Sequence, residues 1–560
     1  VPGHSGCLPA VIAHPVSDPF YYLHNFQQVL DWLLLRYADL LSEQEHDFIR
    51  QFRQQPQATR AMLVRMVMRK GQLFRASKLE YAEIGPSAEA LAPLVVLAWV
   101  DDDAVLSLEQ LFQMLRKDEI VDCFATALTR PRAAKPELFA QLAPLYPEPR
   151  RLSEWYPGFA EVVYAWRLQA LCDRLRLLFF GNLHQDWSEF VLADLGVLRY
   201  EQVAFSADSR AMRERNDVEV ALALHECAEQ LAAGGAVEQV LARAECLHSL
   251  NPWLERRRAR LLFHLGQQCE REGNWALAQQ IYPLSAHPQA PLRHIRVLER
   301  DEQWAAALNL AEAVSEQPLN ALQAQALDRV LPRLRRKLGG PAQPRRSAPD
   351  VHRVDLNLPR EHSTLGVERA VQQHLEEEGG QVFYVENCLF NGLFGLLCWD
   401  AIFAPLPGAF FHPFQRGPQD LHDPGFHARR EALFGDCLAQ LEDGRYHQTI
   451  RANHAVKRGL QSPFVVWEVL DETLLEQALA CLPAEHLSAC FRRLLEDIKH
   501  NRAGMPDLIQ LWPEARRYRM IEVKGPGDRL QDNQLRWIAF CSEHGLPVEV
   551  CHVQWAPQAS

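Results

Sequence analysis

The chain has 560 residues, more than one hydrophobic core normally organises, so about three or four domains are expected. Apolar residues make up 48% of it, ample for several cores. Even the run LAPLVVLAWV stops at Asp101, short of the roughly 18–20 apolar residues a bilayer needs, so a membrane role is excluded. The net charge of −12 argues against a protein that coats nucleic acid with its whole surface.

The amino end, from Val1 to Gly6, has neither the basic start nor the apolar core of a secretory signal, which leads to the expectation of a cytoplasmic protein. The thirteen cysteines are scattered, with no CxxC or HxxxH pairing, and point to reduced thiols rather than a zinc finger. Through the first 80 residues apolar positions recur at helical spacing, as in Val29, Leu30, Leu33, Leu34 and Tyr37 and again in Met62, Leu63, Met66 and Val67. An all-helical opening domain, 1–80, is predicted. Its charge departs from the global balance: from Phe48 to Leu79 stand Arg50, Arg53, Arg60, Arg65, Arg69, Lys70, Arg75 and Lys78, and no acidic residue. Although a charge run is commonly just a solvated helix face, a stretch wholly without acids favours contact with DNA phosphates.

Gly85-Pro86 punctuates the chain, and short helices follow, one of them capped by Ser107 ahead of Leu108, Leu111, Phe112 and Leu115. Residues 81–160 form the second predicted domain. From 161 to 338 the pattern is helical, and Trp275 within REGNWALAQQIY is echoed by Trp304 within DEQWAAAL, which predicts stacked helical hairpins of a degenerate repeat. Arg256, Arg257, Arg258, Arg260, Arg293, Arg296 and Arg300 could face phosphate there or serve only solubility. Residues 339–360, opening on GGPAQPRRSAP, are the predicted linker. Beyond it, 361–560 changes texture: a helix near Val367–Glu378, a strand near Phe383–Val385, and β-branched runs at 519–523 and 547–553 predict an α/β domain.

The chemistry concentrates there. Pro506-Asp507 begins one predicted strand, and Arg519-Met-Ile-Glu522-Val-Lys524 lies in the next. A turn centred on Glu514-Ala515 sets Asp507 directly across from Glu522. Opposed carboxylates repel unless a cation lies between them. Oxygen ligands without nearby Cys or His select Mg²⁺ or Mn²⁺. Lys524 shares the face of Glu522 and is placed to orient or help deprotonate an attacking water. A lone ExK is usually a solvated strand end, but an opposed Asp changes that balance.

With Lys524-Gly-Pro-Gly-Asp-Arg-Leu530, Gln534-Leu-Arg-Trp537 and Val548-Glu-Val-Cys-His-Val553, this pattern resembles the VRR-NUC branch of the PD-(D/E)xK nuclease superfamily, and more closely the Fanconi-associated nucleases. Arg65–Arg75, Ser77–Tyr81 and Phe390–Asp400 look like further blocks of that family, so the resemblance spans essentially the whole chain. It implies a helical DNA-binding domain, a SAP-like domain, tetratricopeptide-like repeats and a restriction-endonuclease-like VRR-NUC domain. Residue by residue it implies that Glu386, Asp507, Glu522 and the carbonyl of Val523 hold one or two ions, with Glu368 as the rival of Glu386. The implied activity is a structure-selective 5′-flap endonuclease and 5′-to-3′ exonuclease in interstrand crosslink repair, leaving 3′-hydroxyl and 5′-phosphate ends.

Arg65, Arg69, Lys70, Arg75 and Lys78 are expected to grip duplex phosphates, and Arg502 and Arg529 to approach those beside the scissile bond. The protein is expected to act as a monomer, nucleoid-associated when on DNA. Animal members of the family open on a ubiquitin-binding zinc finger, for which there is no Cys/His cluster here, so a ubiquitin partner is not expected. Two other readings carry distinct consequences: a sequence-specific restriction-type nuclease, which cuts unbranched duplex at defined sites, and an inert repeat scaffold, which binds DNA without turnover.

Overall fold

The computed structural model describes residues 18–185, 187, 198–341, 352–361, 366–377 and 380–556. The chain divides into two compact units, Val1–Val197 with Met212–Val218, and Leu198–Ala211 with Glu219–Ser560. Among the described residues no helix is long and apolar enough to cross a membrane.

The first unit opens on helices Tyr21–Tyr37, Glu43–Gln54 and Gln57–Val67. Ser42 starts the second of these with a capping box, its hydroxyl accepting from Glu45 N while the Glu45 carboxylate accepts from Ser42 N at 2.8 Å. Glu45 is wholly buried, and Arg174 at 2.5 Å and Arg215 at 2.6 Å offset its charge. The unit's strands are β1 (Leu73–Arg75), β2 (Val100–Asp101), β3 (Val105–Leu106), β4 (Arg150–Arg151) and β5 (Val163–Trp166). β5 lies between β1 and β2, while β3 pairs with β4. The expectation of an all-helical opening therefore needs correction at Leu73–Arg75, which pairs with a strand about ninety residues onward and so gives no local pattern. Between β3 and β4, Ser107 caps Leu108–Met114 as expected, and Leu111, Phe112, Ile120, Phe124, Leu138 and Trp155 form a separate core.

In the second unit, helices Pro252–Glu272, Trp275–Ile281, Ala290–Arg300, Trp304–Ser315 and Ala321–Lys337 are the repeat-like hairpins. Trp275 and Trp304 each open the second helix of a pair, and both are half-buried packing residues. A five-stranded sheet follows, made of β6 (His352–Leu358), β7 (Gln381–Tyr384), β8 (Leu508–Trp512), β9 (Arg517–Lys524) and β10 (Val548–Trp555), in the order β6-β10-β9-β8-β7. β6, β10 and β9 run parallel; β8 is antiparallel to β9 and to β7. Strand β6 corrects the predicted linker: 352–358 is an edge strand of the sheet, and 342–351 lie outside the described residues. Its polar composition masked it, because only Leu358 is buried along it.

The two faces of this sheet have separate cores. Leu508, Ile521 and Val523 pack with Ala370, Val371 and Leu375 of the helix Val367–Glu377. Ile509, Leu511, Tyr518 and Met520 pack with Trp537 and Phe540 of the helix Asp532–Glu543, together with the helices inserted between β7 and β8. Side chains alternate along a strand, so Asp507, Glu522 and Lys524 belong to the second face, at its end.

Candidate active site

The β8–β9 register pairs Leu508 with Ile521 and Trp512 with Arg517, so the next position outward sets Asp507 opposite Glu522. The hairpin places both because its turn is tight and its apolar alternation leaves no freedom to slip by one residue without turning a core face to water. Asp507 Oδ2 accepts from Val523 N at 2.8 Å. Its own carbonyl accepts from Val385 N at 2.8 Å, which brings the segment bearing Glu386 to the same end of the sheet. Asn387, at φ 53°, turns the chain there, and its side-chain oxygen accepts from Met505 N at 3.1 Å.

Asp507, Glu522 and Lys524 are all buried, and Glu522 has no exposed surface. Lys524 Nζ lies 2.7 Å from Glu522 Oε1, and Gln534 Nε2 donates to the same oxygen at 2.6 Å. Burial, with the adjoining Asp507 charge, pushes the Glu522 carboxyl up to about 7 despite the pull of Lys524. Burial likewise pushes Asp507 up to about 6; the Val523 amide and Lys524 lower it, and the charges of Glu386 and Glu368 raise it. Four carboxylates thus share one electrostatic neighbourhood.

Among the described residues no three Asp, Glu, His or Cys side chains yet close on one point. Glu386 accepts from the Tyr384 hydroxyl, and Lys524 and Gln534 both donate to one oxygen of Glu522. The expected ligand set is present at one end of the sheet, with Glu386 turned outward. The residues nonetheless fit a hard cation. The donors are all oxygens, and Glu522 Oε2 is buried with no hydrogen-bond partner, a cost that a coordinated ion would remove. The Val523 backbone lies at the same point, its N–H holding Asp507. Gln534 and Tyr384 had no assigned role in the sequence. The signals were there: Gln534 heads the block Gln534–Trp537, and Tyr384 lies two residues before Glu386 on an alternating strand.

The basic residues sort differently. Arg75 is held by Glu119 at 2.7 Å and by Glu161, which hold its guanidinium well above its ordinary range. Arg65 reaches Glu83 at 2.5 Å and lies 3.8 Å over the Tyr22 ring. Arg502 donates to Pro463 O and packs over Phe464, and burial lowers its pKa. In the fold these three are engaged by partners remote in sequence, as packing and ion-pair residues. Arg69, Lys70, Lys78 and Arg529 are exposed. In the repeats, Arg256 pairs with Asp423 at 2.7 Å, Arg258 with Glu255 at 3.0 Å and Arg293 with Glu270 at 2.9 Å, so these serve structure.

Comparison with known proteins places three family models on the chain: the "FAN1, HTH domain" on residues 20–101, the "Fanconi anemia-associated nuclease SAP domain" on 105–155, and the "VRR-NUC domain" on 441–555. A Fanconi-associated nuclease 1 homolog of Pseudomonas aeruginosa is 57% identical over 540 residues, covering 96% of this chain and 97% of that protein. The Homo sapiens Fanconi-associated nuclease 1 is 36% identical over 197 residues, 33% of this chain and 19% of the human one. A crystal structure of paFAN1 bound to DNA with a 2-nucleotide 5′ flap and a gap superposes with a TM-score of 0.89 at 56% identity, covering 98% of this chain and 100% of that one. A second, with a 1-nucleotide flap, gives 0.88 at 57% identity, covering 97% and 100%.

Proposed function

The chain belongs to the Fanconi-associated nuclease family, and on that premise we propose that it is a structure-selective DNA nuclease that uses Mg²⁺ or Mn²⁺, cutting at 5′ flaps and degrading 5′ to 3′ in interstrand crosslink repair. The observation that carries the catalytic assignment is Glu522: wholly buried, opposed to Asp507, and with one carboxylate oxygen left without a partner. The related crystal structures hold flapped, gapped DNA, and that substrate geometry is the one proposed here.

Asp507, Glu522 and, once turned from Tyr384, Glu386 would hold the ion together with the Val523 carbonyl. A bound divalent ion supplies Lewis-acid polarisation of the scissile phosphate and acidifies water near neutral pH. The chain's own part is positional. Asp507 is fixed by the Val523 amide, and the sheet end excludes water from Glu522. Lys524, 2.7 Å from Glu522, keeps an ammonium beside the position where charge develops on the phosphate and where the attacking water must be held in line. Arg69, Lys70 and Lys78 would contact duplex phosphates and Arg529 those near the cut, which gives affinity with little sequence preference. The protein acts as a monomer in the cytoplasm, on nucleoid DNA.

Cleavage of a labelled 5′-flap DNA by wild type and Asp507→Ala, with Mn²⁺ and with chelator, tests the reading. Cutting by wild type with metal alone is the expected result. Equal cutting by both proteins removes Asp507 from the site, and no cutting by either returns the chain to the scaffold reading.

A further inference from the structure

The structure assigns Gln534 as a positioning residue that presents a single oxygen of Glu522 to the ion, and this inference rests on the metal-site reading above. Gln534 occupies the third position of the helix Asp532–Glu543, where its side-chain carbonyl accepts from Gln531 N at 2.8 Å. That bond is half of a capping box, and it settles which way the amide faces. With the carbonyl committed to the helix end, the NH₂ is directed at Glu522 Oε1, 2.6 Å away.

Lys524 also binds Oε1, at 2.7 Å. Both donors therefore converge on one oxygen and leave the other, Oε2, buried and unpartnered, as the Glu522 oxygen presented to a cation. Without Gln534 the carboxylate could rotate about its last torsion, which is soft, with only the single Lys524 contact opposing it. An amide suits this position better than a second cation. It orients Glu522 without cancelling the charge that attracts the ion, and a ligand carboxylate held by such a donor is the usual way proteins fix metal geometry.

The helix that carries Gln534 is itself held at three points. Asp532 receives two bonds from Arg329, at 2.7 and 2.5 Å, and Arg536 donates to Gln325 at 2.6 Å, both partners lying on the repeat helix Ala321–Lys337. At the same end Gly504, at φ 95°, lies so near the Asn533 backbone that a Cβ would come within 2.7 Å of it. The loop entering Asp507 and the helix presenting Gln534 are thus packed in direct contact. The amide is fixed relative to both carboxylates, not only to its own helix.

The test is Mn²⁺ binding by the whole chain without DNA, read by electron paramagnetic resonance of free Mn²⁺, with Tm measured alongside. Gln534→Met should weaken Mn²⁺ binding about 10- to 100-fold and lower kcat on 5′-flap DNA while leaving KM within about threefold. Gln534→Asn, whose amide is too short to span both partners, should fall in the same range and serves if the Met variant does not fold. Gln531→Ala removes only the cap side chain and keeps the backbone N–H that holds the Gln534 carbonyl, so the Gln534–Glu522 bond stays oriented. It should change Tm and leave Mn²⁺ affinity within about threefold. Equal weakening by Gln531→Ala and Gln534→Met would reduce Gln534 to a helix cap, and unchanged Mn²⁺ affinity in Gln534→Met and Gln534→Asn would overturn the assignment. A wild-type chain that takes up no Mn²⁺ sensitive to Asp507→Ala would sink the metal-site reading, and this inference with it.

Discussion

In the strand pair from Leu508 to Lys524 each charged side chain stands where the hairpin register sets it, whereas between Phe48 and Leu79 half of the basic side chains are turned to carboxylates outside that stretch. Arg50 meets Asp47, Arg53 meets Asp31, Arg65 meets Glu83, and Arg75 is clamped by Glu119 and Glu161. A register is local information, carried by turn length and alternation. The surroundings of a surface charge are not, because which carboxylate comes within about 4 Å of it is decided by the fold. A basic window is therefore an upper bound on a DNA-binding surface, while an opposed pair of strand carboxylates is close to a direct reading of a site.

The comparison breaks most visibly at Asp507. Asp507→Asn keeps the shape and an acceptor for the Val523 amide but removes the charge, and single-turnover cleavage of 5′-flap DNA should fall by at least about a hundredfold, with DNA affinity within about threefold. A smaller loss would mean that register alone does not identify the site.

Arg75→Ala tests the opposite assignment. It leaves Glu119 and Glu161 without the guanidinium they share, so the first unit should lose on the order of 3–5 kcal/mol in denaturant unfolding. DNA affinity at a temperature where the variant is folded should hardly change. Loss of DNA binding at unchanged stability would restore Arg75 as a phosphate contact.

The carboxylates also make a stability prediction with a definite sign. Folded values of about 6 for Asp507 and about 7 for Glu522 lie above those of the unfolded chain. The folded state then binds more protons, so this stabilisation is present below the ordinary carboxylate range and is lost as pH rises through 6 to 7. In chelator, wild type should lose roughly 1–3 kcal/mol between pH 5 and pH 8 relative to the Asp507→Asn/Glu522→Gln double variant. Mn²⁺ should restore it at pH 8. Parallel pH curves for the two proteins would show that the site does not hold paired charges.

The smallest effect sharpens the basic stretch. Replacing Arg69, Lys70 and Lys78 together by Ala should weaken flap-DNA binding about tenfold and flatten the slope of log affinity against log salt by about three. Thermal stability should shift by less than about 0.5 kcal/mol, because none of the three is buried. An unchanged salt slope would leave the exposed remainder of the stretch as a solvated face.

Much of the chain was legible in sequence where the structure depends on neighbours in the chain: the Ser107 cap, the repeat hairpins opened by Trp275 and Trp304, and the strands β8, β9 and β10. Strand β6 was not legible, since an edge strand with one buried residue carries no alternation. Strand β1 was missed because three residues paired to a distant partner leave no period to detect. Gln534 lacked an assigned role because a glutamine at a helix start reads as a cap; only the tertiary position of Glu522 shows what its amide reaches.

Alone, the sequence determined the positions of Asp507, Glu522 and Lys524 on one face of a strand pair and the oxygen-only chemistry between them, because alternation and a short hairpin permit one solution. Tertiary structure decided which charges remain available: it turned Arg65, Arg75 and Arg502 inward, held Glu386 on Tyr384, and left one oxygen of Glu522 buried without a partner. Those outcomes follow from which distant groups share a low-dielectric neighbourhood, where a charge must find its opposite or shift its pKa, and no pattern within a short stretch of chain encodes that.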